Sequence, residues 1–154
     1  MTVINLTTEI KAEINKCFDM ARSIDLHMIS ASHTNEKAVA GKTSGLCEAG
    51  DIIIWEAIHF GIKQHLTSKI TKMNYPFFFE DKMLKGAFKS MRHEHHFKEE
   101  NGKTIMVDHF YYEVPFGIIG WLFDKIILKK HMTHFLITRN KKLKEMIENN
   151  NYKL

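Results

Sequence analysis

Hydrophobic and polar residues alternate along most of the first 114 residues, which predicts a chain rich in β-strands. In segment 3–11 the even positions are mostly apolar and the odd ones after Val3 are polar, as in a half-buried strand. Similar alternation, or a dense run of apolar residues, predicts six more strands at 35–40, 52–60, 63–73, 77–83, 88–98 and 104–114. The Asn101-Gly102 pair between the last two strands is typical of a tight hairpin turn.

Two regions have a helical period instead. Segment 12–29 repeats its apolar residues at helical steps, which predicts two short helices after the first strand. After Pro115 a helical pattern continues for about 30 residues, or roughly 45 Å of helix. Its apolar stripe needs a large surface to cover, and the antiparallel sheet supplies one. The predicted fold class is therefore α+β: a seven-stranded curved antiparallel sheet wrapped around a long C-terminal helix, in a single domain of residues 1–154.

Composition narrows the class of protein further. Hydrophobic residues make up 44% of the chain, charged residues 26%, and 11 residues are Phe, which favours a packed globular domain. The formal net charge is +4, and the basic residues near the C-terminus fall between apolar residues at helical spacing. That pattern is typical of a solvated helix face, so we predict no nucleic-acid partner.

The sequence also bears on the compartment of the protein. Cys17 and Cys47 form no metal-type or redox-type pair, and the N-terminus lacks the basic start and apolar run of a signal peptide. The longest apolar run, 118–128, contains Asp124 and Lys125 and is too short to span a bilayer. We therefore predict a cytoplasmic protein with no integral membrane association, while unpaired sheet edges leave a homodimer open.

The order of elements, together with particular residues, resembles the SRPBCC superfamily of helix-grip proteins, which includes START domains, polyketide cyclases and birch-pollen-allergen-like proteins. The residues that carry the resemblance are Gly41-Lys42-Thr43-Ser44-Gly45, Gly50-Asp51, 55–61, 79–83, Gly86-Ala87-Phe88, 93–97, 102–108, Tyr112, Pro115-Phe116-Gly117, Gly120 and Arg139-Asn140. The likeness is closest to bacterial ligand-binding members, some of which carry the label cell division inhibitor. It implies a cavity between the sheet and the long helix, but no particular reaction.

Strand parity places a group of chemically active side chains on one face of the sheet. Side chains at i and i+2 share a face, so His93 and His95 lie together, as do Asp81 with Phe79, and Asp108 with Phe110. If the aromatic residues mark the concave face, three imidazoles and two carboxylates point into the cavity, those of His59, His93, His95, Asp81 and Asp108. The predicted ligand-binding residues are Trp55, His59, Phe79, Asp81, Met83, His93, His95, Met106, Asp108, Phe110, Tyr112 and Trp121.

Three interpretations of the His and Asp cluster compete. It is a structural network that fixes strand register, a polar end for ligand recognition, or a catalytic or metal site. In the third case His93, His95, Asp81 and Asp108 are the catalytic candidates, and His93-x-His95 supplies the metal-ligand candidates. The spacing of two imidazoles is common, so we predict no metal and no other cofactor.

The first functional hypothesis is a binding module that holds one small hydrophobic molecule, lipid-like or polyketide-like, with the cluster contacting its polar end. The second is an enzyme of the cyclase or dehydratase type that uses His–Asp pairs as acid and base. The third is a regulatory interaction protein whose cavity is filled by its own side chains. The size of the cavity and the surroundings of the cluster distinguish the three.

Overall fold

Seven strands form one antiparallel sheet in the computed structural model, which describes residues 1–150 and 152. The strands are β1 (Thr2–Ile10), β2 (Lys37–Gly41), β3 (Ile52–His59), β4 (Ile62–Asn74), β5 (Phe78–Lys85), β6 (Ser90–Glu100) and β7 (Lys103–Glu113). Their order across the sheet is β1-β7-β6-β5-β4-β3-β2, so strands that are neighbours in sequence pair with each other and β1 closes the set beside β7. The predicted seven-stranded sheet is confirmed, with strand ends that differ by up to two residues.

Helices occupy the two positions that the period change predicts. They are α1 (Ile14–Ala21), α2 (Ile24–Ser30), α3 (Gly117–Phe123) and α4 (Lys129–Glu148), with one turn of π-helix at Asp124–Leu128 between the last two. The α4 helix packs against β1, α1 and α2 and thereby covers the sheet. The predicted α+β helix-grip architecture is confirmed. The long helix is nevertheless not uniform, since the π-helical turn interrupts it and shifts the register of its faces.

Burial along β6 and β7 follows the predicted parity. Met91, His93, His95 and Phe97 are buried on β6 while the residues between them are partly exposed, and β7 buries every second residue from Thr104 to Tyr112 in the same way. The two strands are paired so that His95 lies opposite Asp108 and His93 opposite Phe110. The inward faces of the hairpin therefore bring the imidazoles and a carboxylate together under α4.

A tight turn leads from β7 into α3. Phe116 has a left-handed backbone, with φ of 68°, which is uncommon for an aromatic residue. Position 120 requires glycine, because a Cβ there would lie 1.8 Å from the carbonyl oxygen of Pro115, a separation that no side chain tolerates. The turn consequently holds α3 against the end of the sheet and leaves the ring of Phe116 almost fully exposed.

A buried carboxylate anchors the helical segment to the sheet. Asp124 accepts hydrogen bonds from the hydroxyls of Thr2 on β1 and Tyr112 on β7. We expect Tyr112→Phe to lower the free energy of unfolding by about 1–3 kcal/mol, because it leaves a buried acceptor without one of its donors. Urea denaturation measures the change. Tyr111→Phe is the matched control, since the Tyr111 ring packs under Arg92 on the other face, and an equal loss there would contradict the assignment.

Candidate functional site

A cavity of about 570 Å³ lies between the sheet, α2 and the C-terminal helical segment. A volume of this size falls within the range of small-molecule sites in proteins. Its apolar wall comes from both the sheet and the helices: Ile24, Ile53, Trp55, Ala57, Leu66, Ile70, Phe79, Phe88, Met91, Phe110, Phe123, Ile127, Leu128, Met132, Phe135 and Leu136. The interior is therefore not filled by the chain itself, which disfavours the third functional hypothesis.

Asp108 is the centre of the polar network at the inner end of this cavity. Its side chain is fully buried and lies behind the wall rather than in it. Arg139 Nη2 donates to Asp108 Oδ1 at 3.3 Å, and Asn140 Nδ2 donates to Oδ2 at 2.6 Å. His93 Nε2 lies within hydrogen-bonding distance of Oδ1, at 3.1 Å. Residues from β6, β7 and α4 thus converge on one carboxylate.

The network shifts the pKa values of its groups in different directions. Burial opposes the charged form of Asp108, but the hydrogen bond from His93, the close contact with His95 and the charge of Arg139 outweigh it, and the pKa of the carboxyl is held well below its usual range. Burial and the neighbouring His95 lower the pKa of His93 to about 4. Burial also opposes the charged form of His95, yet Asp108 and Asp81 reverse that effect and raise its pKa. The pKa values of these two imidazoles are therefore shifted in opposite directions, although their ring centroids lie only 3.9 Å apart.

His95 contacts both carboxylates of the cluster. Its Nδ1 lies 2.7 Å from Asp108 Oδ1, and the contact is electrostatic because the ring is not aligned for a hydrogen bond. Its Nε2 lies 3.7 Å from Asp81 Oδ1, which is longer than a hydrogen bond. Asp81 keeps 18% of its side-chain surface accessible and lines the cavity. His95 and Asp81 therefore do not hydrogen-bond to each other, and both can bond to a molecule in the cavity. We call the space between His95 Nε2 and Asp81 Oδ1 the His95–Asp81 gap.

The same residues have the donor set of a metal site. Among the described residues, one donor atom each from Asp81, His93 and His95 lies within 4.8 Å of the others. Histidine and carboxylate ligands at such spacing suit Zn²⁺. However, the positive charge of Arg139 already pairs with Asp108, and the two carboxylates raise the pKa of His95, which opposes the neutral form that a metal needs. This arrangement favours the polar-network interpretation over a metal centre.

A second pair of polar residues, His27 and Glu36, contributes to the cavity wall from the helical side. His27 Nε2 lies 3.4 Å from Glu36 Oε1, and the His27 ring packs against Trp55 with centroids 4.4 Å apart. Burial raises the pKa of Glu36, but His27 more than compensates and the net shift is downward. Among the described residues no donor reaches the buried Glu36 Oε2. The unsatisfied oxygen offers an acceptor to a molecule in the cavity.

The outer end of the cavity is lined by exposed aromatic and aliphatic residues. Phe60, Ile62, Phe116, Phe123 and Ile127 both line the cavity and are exposed, so they form its mouth. His59 Nδ1 and His131 Nε2 lie 3.0 Å apart just inside it. Burial lowers the pKa of both imidazoles, which keeps them neutral and lets one ring donate to the other.

The structure brings seven of the twelve predicted ligand-binding residues to the cavity wall: Trp55, His59, Phe79, Asp81, His93, His95 and Phe110. The other five do not line the cavity, and their placement is corrected. Met106, Asp108 and Tyr112 are fully buried behind the wall, and Met83 packs in the partly buried rim of a core cluster. Trp121 is half exposed on the outer side of α3, beside Lys125.

Sequence reasoning missed several polar wall residues: Arg22, Ser23, His27, Glu36, Gln64, His65, Ser68, His131 and Arg139. A signal for one of them was present. Arg139 falls at helical spacing between Phe135 and Leu143 on an otherwise apolar stripe, where a charge needs a buried partner. His27 and Glu36 gave no such signal, because the distance between them is set by the turn between α2 and β2.

The protonation pattern makes stability depend on pH. The pKa of His93 is about 4 in the folded protein, against 6.5 for a free imidazole. Below pH 6.5 the unfolded chain therefore binds a proton at His93 that the folded chain does not bind. We expect the free energy of unfolding to fall by about 3 kcal/mol from this group as pH drops through that window. The lowered pKa of Asp108 adds a further loss below pH 3.8, whereas the raised pKa of His95 stabilises the fold at low pH and loses effect as pH rises.

His93→Gln tests this assignment, since the amide can still donate to Asp108 but does not titrate. We expect the unfolding free energy of the variant to change less steeply between pH 6.5 and 4 than that of the unmodified protein. His134→Gln, at an exposed position of α4, is the matched control. A pH profile that is unchanged by His93→Gln would show that His93 is not the buried neutral imidazole.

Comparisons with known proteins bear on the fold. No family model matches the sequence, and no curated protein matches it. Among solved structures, TTHA0849 from Thermus thermophilus is similar over 98% of this chain and 100% of its own, with a TM-score of 0.81 and 18% identity. A START superfamily protein from Mycobacterium smegmatis is similar over 97% of this chain and 99% of its own, with a TM-score of 0.72 and 12% identity.

A plant protein has the same architecture. Ginseng major latex-like protein 151 from Panax ginseng is similar over 94% of this chain and 95% of its own, with a TM-score of 0.68 and 14% identity. At such low identity the likeness concerns the fold and not the activity. The resemblance to the SRPBCC superfamily that the sequence suggested is thus confirmed as a shared fold. The chain has the helix-grip fold of START superfamily proteins.

Proposed function

We propose that the protein binds one small hydrophobic molecule that carries a hydroxyl group, with the hydroxyl at the His95–Asp81 gap. The observation that carries the proposal is the coexistence of a cavity of about 570 Å³, mostly apolar in its lining, with a donor and an acceptor 3.7 Å apart at its inner end. An apolar pocket with a few convergent polar groups is the usual form of a small-molecule site.

The two polar groups favour a hydroxyl over other polar ends. His95 Nε2 offers an N–H to a hydroxyl oxygen, and Asp81, whose pKa is lowered, accepts a hydrogen bond from the same hydroxyl in return. A carboxylate would be repelled by Asp81, and an ether could not donate to it. The stacked ring of Phe79, with its centroid 4.2 Å from that of His95, fixes the imidazole in this orientation.

The route and orientation of the ligand follow from the cavity wall. The mouth lies at Phe60, Phe116 and Phe123, and the polar gap lies at the inner end. A molecule would therefore enter with its hydroxyl first and leave its apolar tail among α3, the π-helical turn and α4. The unsatisfied Glu36 Oε2 suits a second donor on the ligand, if one is present.

Binding of decanol, decyl methyl ether and decanoate tests the proposal. We expect decanol to bind about 10-fold more tightly than the ether, because the ether leaves Asp81 without a donor. Decanoate should bind more weakly than decanol. The difference between alcohol and ether should shrink in Asp81→Asn and persist in Asp51→Asn, whose carboxylate pairs with Lys42 on the surface. Equal affinity for all three would contradict the hydroxyl assignment.

Native mass spectrometry of protein purified from its own host identifies the class of natural ligand. We expect one bound molecule per chain, released by organic solvent, and acetylation of the released molecule should add one acetyl group per hydroxyl. A protein that carries no ligand and binds none of the three test molecules would contradict the binding function itself.

The paired imidazoles favour a second candidate, a dehydratase. His95, whose pKa is raised, would give a proton to the ligand hydroxyl as the C–O bond breaks, and His93 beside it would take a proton from the neighbouring carbon, so that water leaves and a C=C bond forms. The product is lighter than the ligand by one water. Incubation of the ligand with protein and mass analysis tests this: an unchanged mass leaves binding alone.

A further inference from the structure

Large hydrophobic side chains are exposed along the helical segment that roofs the cavity mouth. Between Phe116 and Ile127 eight of them face solvent, and Ile118 is 84% and Ile119 is 79% exposed. Trp121, Leu122 and Ile126 continue the same surface. A contiguous apolar patch of this kind marks an interaction site, because single exposed residues are ordinary but a continuous run is not.

The exposed residues are not a core face. Gly120 and Asp124 are buried on the inner side of the segment, and Asp124 is bonded to Thr2 and Tyr112. Phe123 and Ile127 point along the cavity mouth. The segment is therefore already anchored to the sheet by one side, and its outer apolar side is left for a partner outside the chain.

The exposed charges along this helical segment are of one sign. Lys125, Lys129 and Lys130 are exposed on the same segment. From Val114 to Lys144 the sequence contains one acidic residue, Asp124, and that residue is buried. Lys125 Nζ lies 5.2 Å from the ring centroid of Trp121, so cation and aromatic ring share the edge of the patch. Two copies joined symmetrically through this face would bring their lysines together, whereas an anionic surface would neutralise them.

We propose that residues 116–130 form a docking surface for an anionic lipid bilayer. Ile118, Ile119, Leu122 and Ile126 would enter the boundary between headgroups and acyl chains, with the lysines at the level of the phosphates. The docking is peripheral: in the described part of the chain no helix is long and apolar enough to cross a membrane. This surface goes beyond the proposed ligand binding, and it turns the cavity mouth towards the bilayer.

Vesicle flotation tests the docking surface, with vesicles of phosphatidylcholine alone and of equal parts phosphatidylcholine and phosphatidylglycerol. We expect binding to the anionic vesicles that weakens as salt is added. Ile118→Ser with Ile119→Ser should weaken binding about 100-fold, because two Ile side chains no longer leave water. Ile137→Ser, an exposed Ile on α4, is the control and should bind normally.

The lysines have their own matched pair of variants. Lys125→Gln with Lys129→Gln should weaken binding to anionic vesicles about 10-fold or more. Lys11→Gln with Lys98→Gln removes the same charge near the opposite end of the sheet and should have little effect. Brominated lipid should also quench the fluorescence of exposed Trp121 and spare buried Trp55.

Three results would overturn the proposal: no binding to either vesicle, equal binding to neutral and anionic vesicles, or equal losses in the control variants. A concentration-dependent dimer that the double serine variant abolishes, without vesicle binding, would assign the patch to a second copy of the chain. Decanol affinity in detergent-free solution should be unchanged by the serine pair. Failure of the docking surface is thereby distinguishable from failure of the proposed ligand binding.

Discussion

Asp108→Ala is expected to lower the free energy of unfolding by about 3–5 kcal/mol, because it removes one partner of a buried ion pair. The carboxylate is fully buried and receives Arg139, Asn140 and two imidazoles. Removal of its charge leaves the Arg139 cation buried without its counter-ion, and it leaves His93 and Asn140 without their acceptor. Urea denaturation at neutral pH measures the loss.

Two further variants separate the charge from the cavity that truncation creates. Asp108→Asn keeps the volume but turns an N–H towards groups that already donate, so we expect it to be nearly as destabilising as Asp108→Ala. Asp51→Ala removes a carboxylate whose side chain is 28% exposed and paired with Lys42, and it should cost less than about 1 kcal/mol. If Asp108→Ala were no worse than Asp51→Ala, the cluster would be solvated and the buried network wrong.

Ala57→Phe is expected to weaken decanol binding about 100-fold while leaving the fold intact. Ala57 lies on β3 between Trp55 and His59, and its methyl group contributes to the cavity wall. A benzyl group in its place would occupy the path between the mouth and the His95–Asp81 gap. Isothermal titration of decanol into the variant measures the loss, and circular dichroism checks the fold.

Ala40→Phe is the matched control for this substitution. Ala40 is exposed on the edge strand β2 and does not line the cavity, so decanol affinity should stay within about twofold of the unmodified protein. Equal loss in both variants would point to a general effect of the added ring. Undiminished binding by Ala57→Phe would show that decanol binds elsewhere, for example on the exposed surface at 116–130.

Most of the fold could be predicted from the sequence because strand and helix periods are local properties. The Asn101-Gly102 turn, alternation in β6 and β7 and the helical stripe after Pro115 each depend on residues close in the chain. The π-helical turn at Asp124–Leu128 could not be predicted, because it depends on distant partners. Thr2 and Tyr112 hold Asp124 inward, and the outer residues of the turn then face solvent although they are apolar.

The candidate site, too, could be predicted from the sequence only in part. Parity indicated that His93, His95 and Asp108 share the inner side of the hairpin, and their burial follows it. Parity gives the side of the sheet on which a residue lies, but not its depth behind the wall. For that reason Met106, Asp108 and Tyr112 were placed in the cavity although they pack beyond it. Three other wall residues come from helices and a turn, where strand parity does not apply: His27, Glu36 and Arg139.

By itself the sequence determined which segments become strands and helices and which side chains share a face. Both follow from the periods of the strand and the helix, which involve only residues close together in the chain. The tertiary structure alone decided how far α4 stands from the sheet, and hence that space for a ligand remains. It also decided that the pKa values of two adjacent imidazoles shift in opposite directions. The reason is that burial and the distances to Asp108, Asp81 and Arg139 are set by packing between elements far apart in the chain.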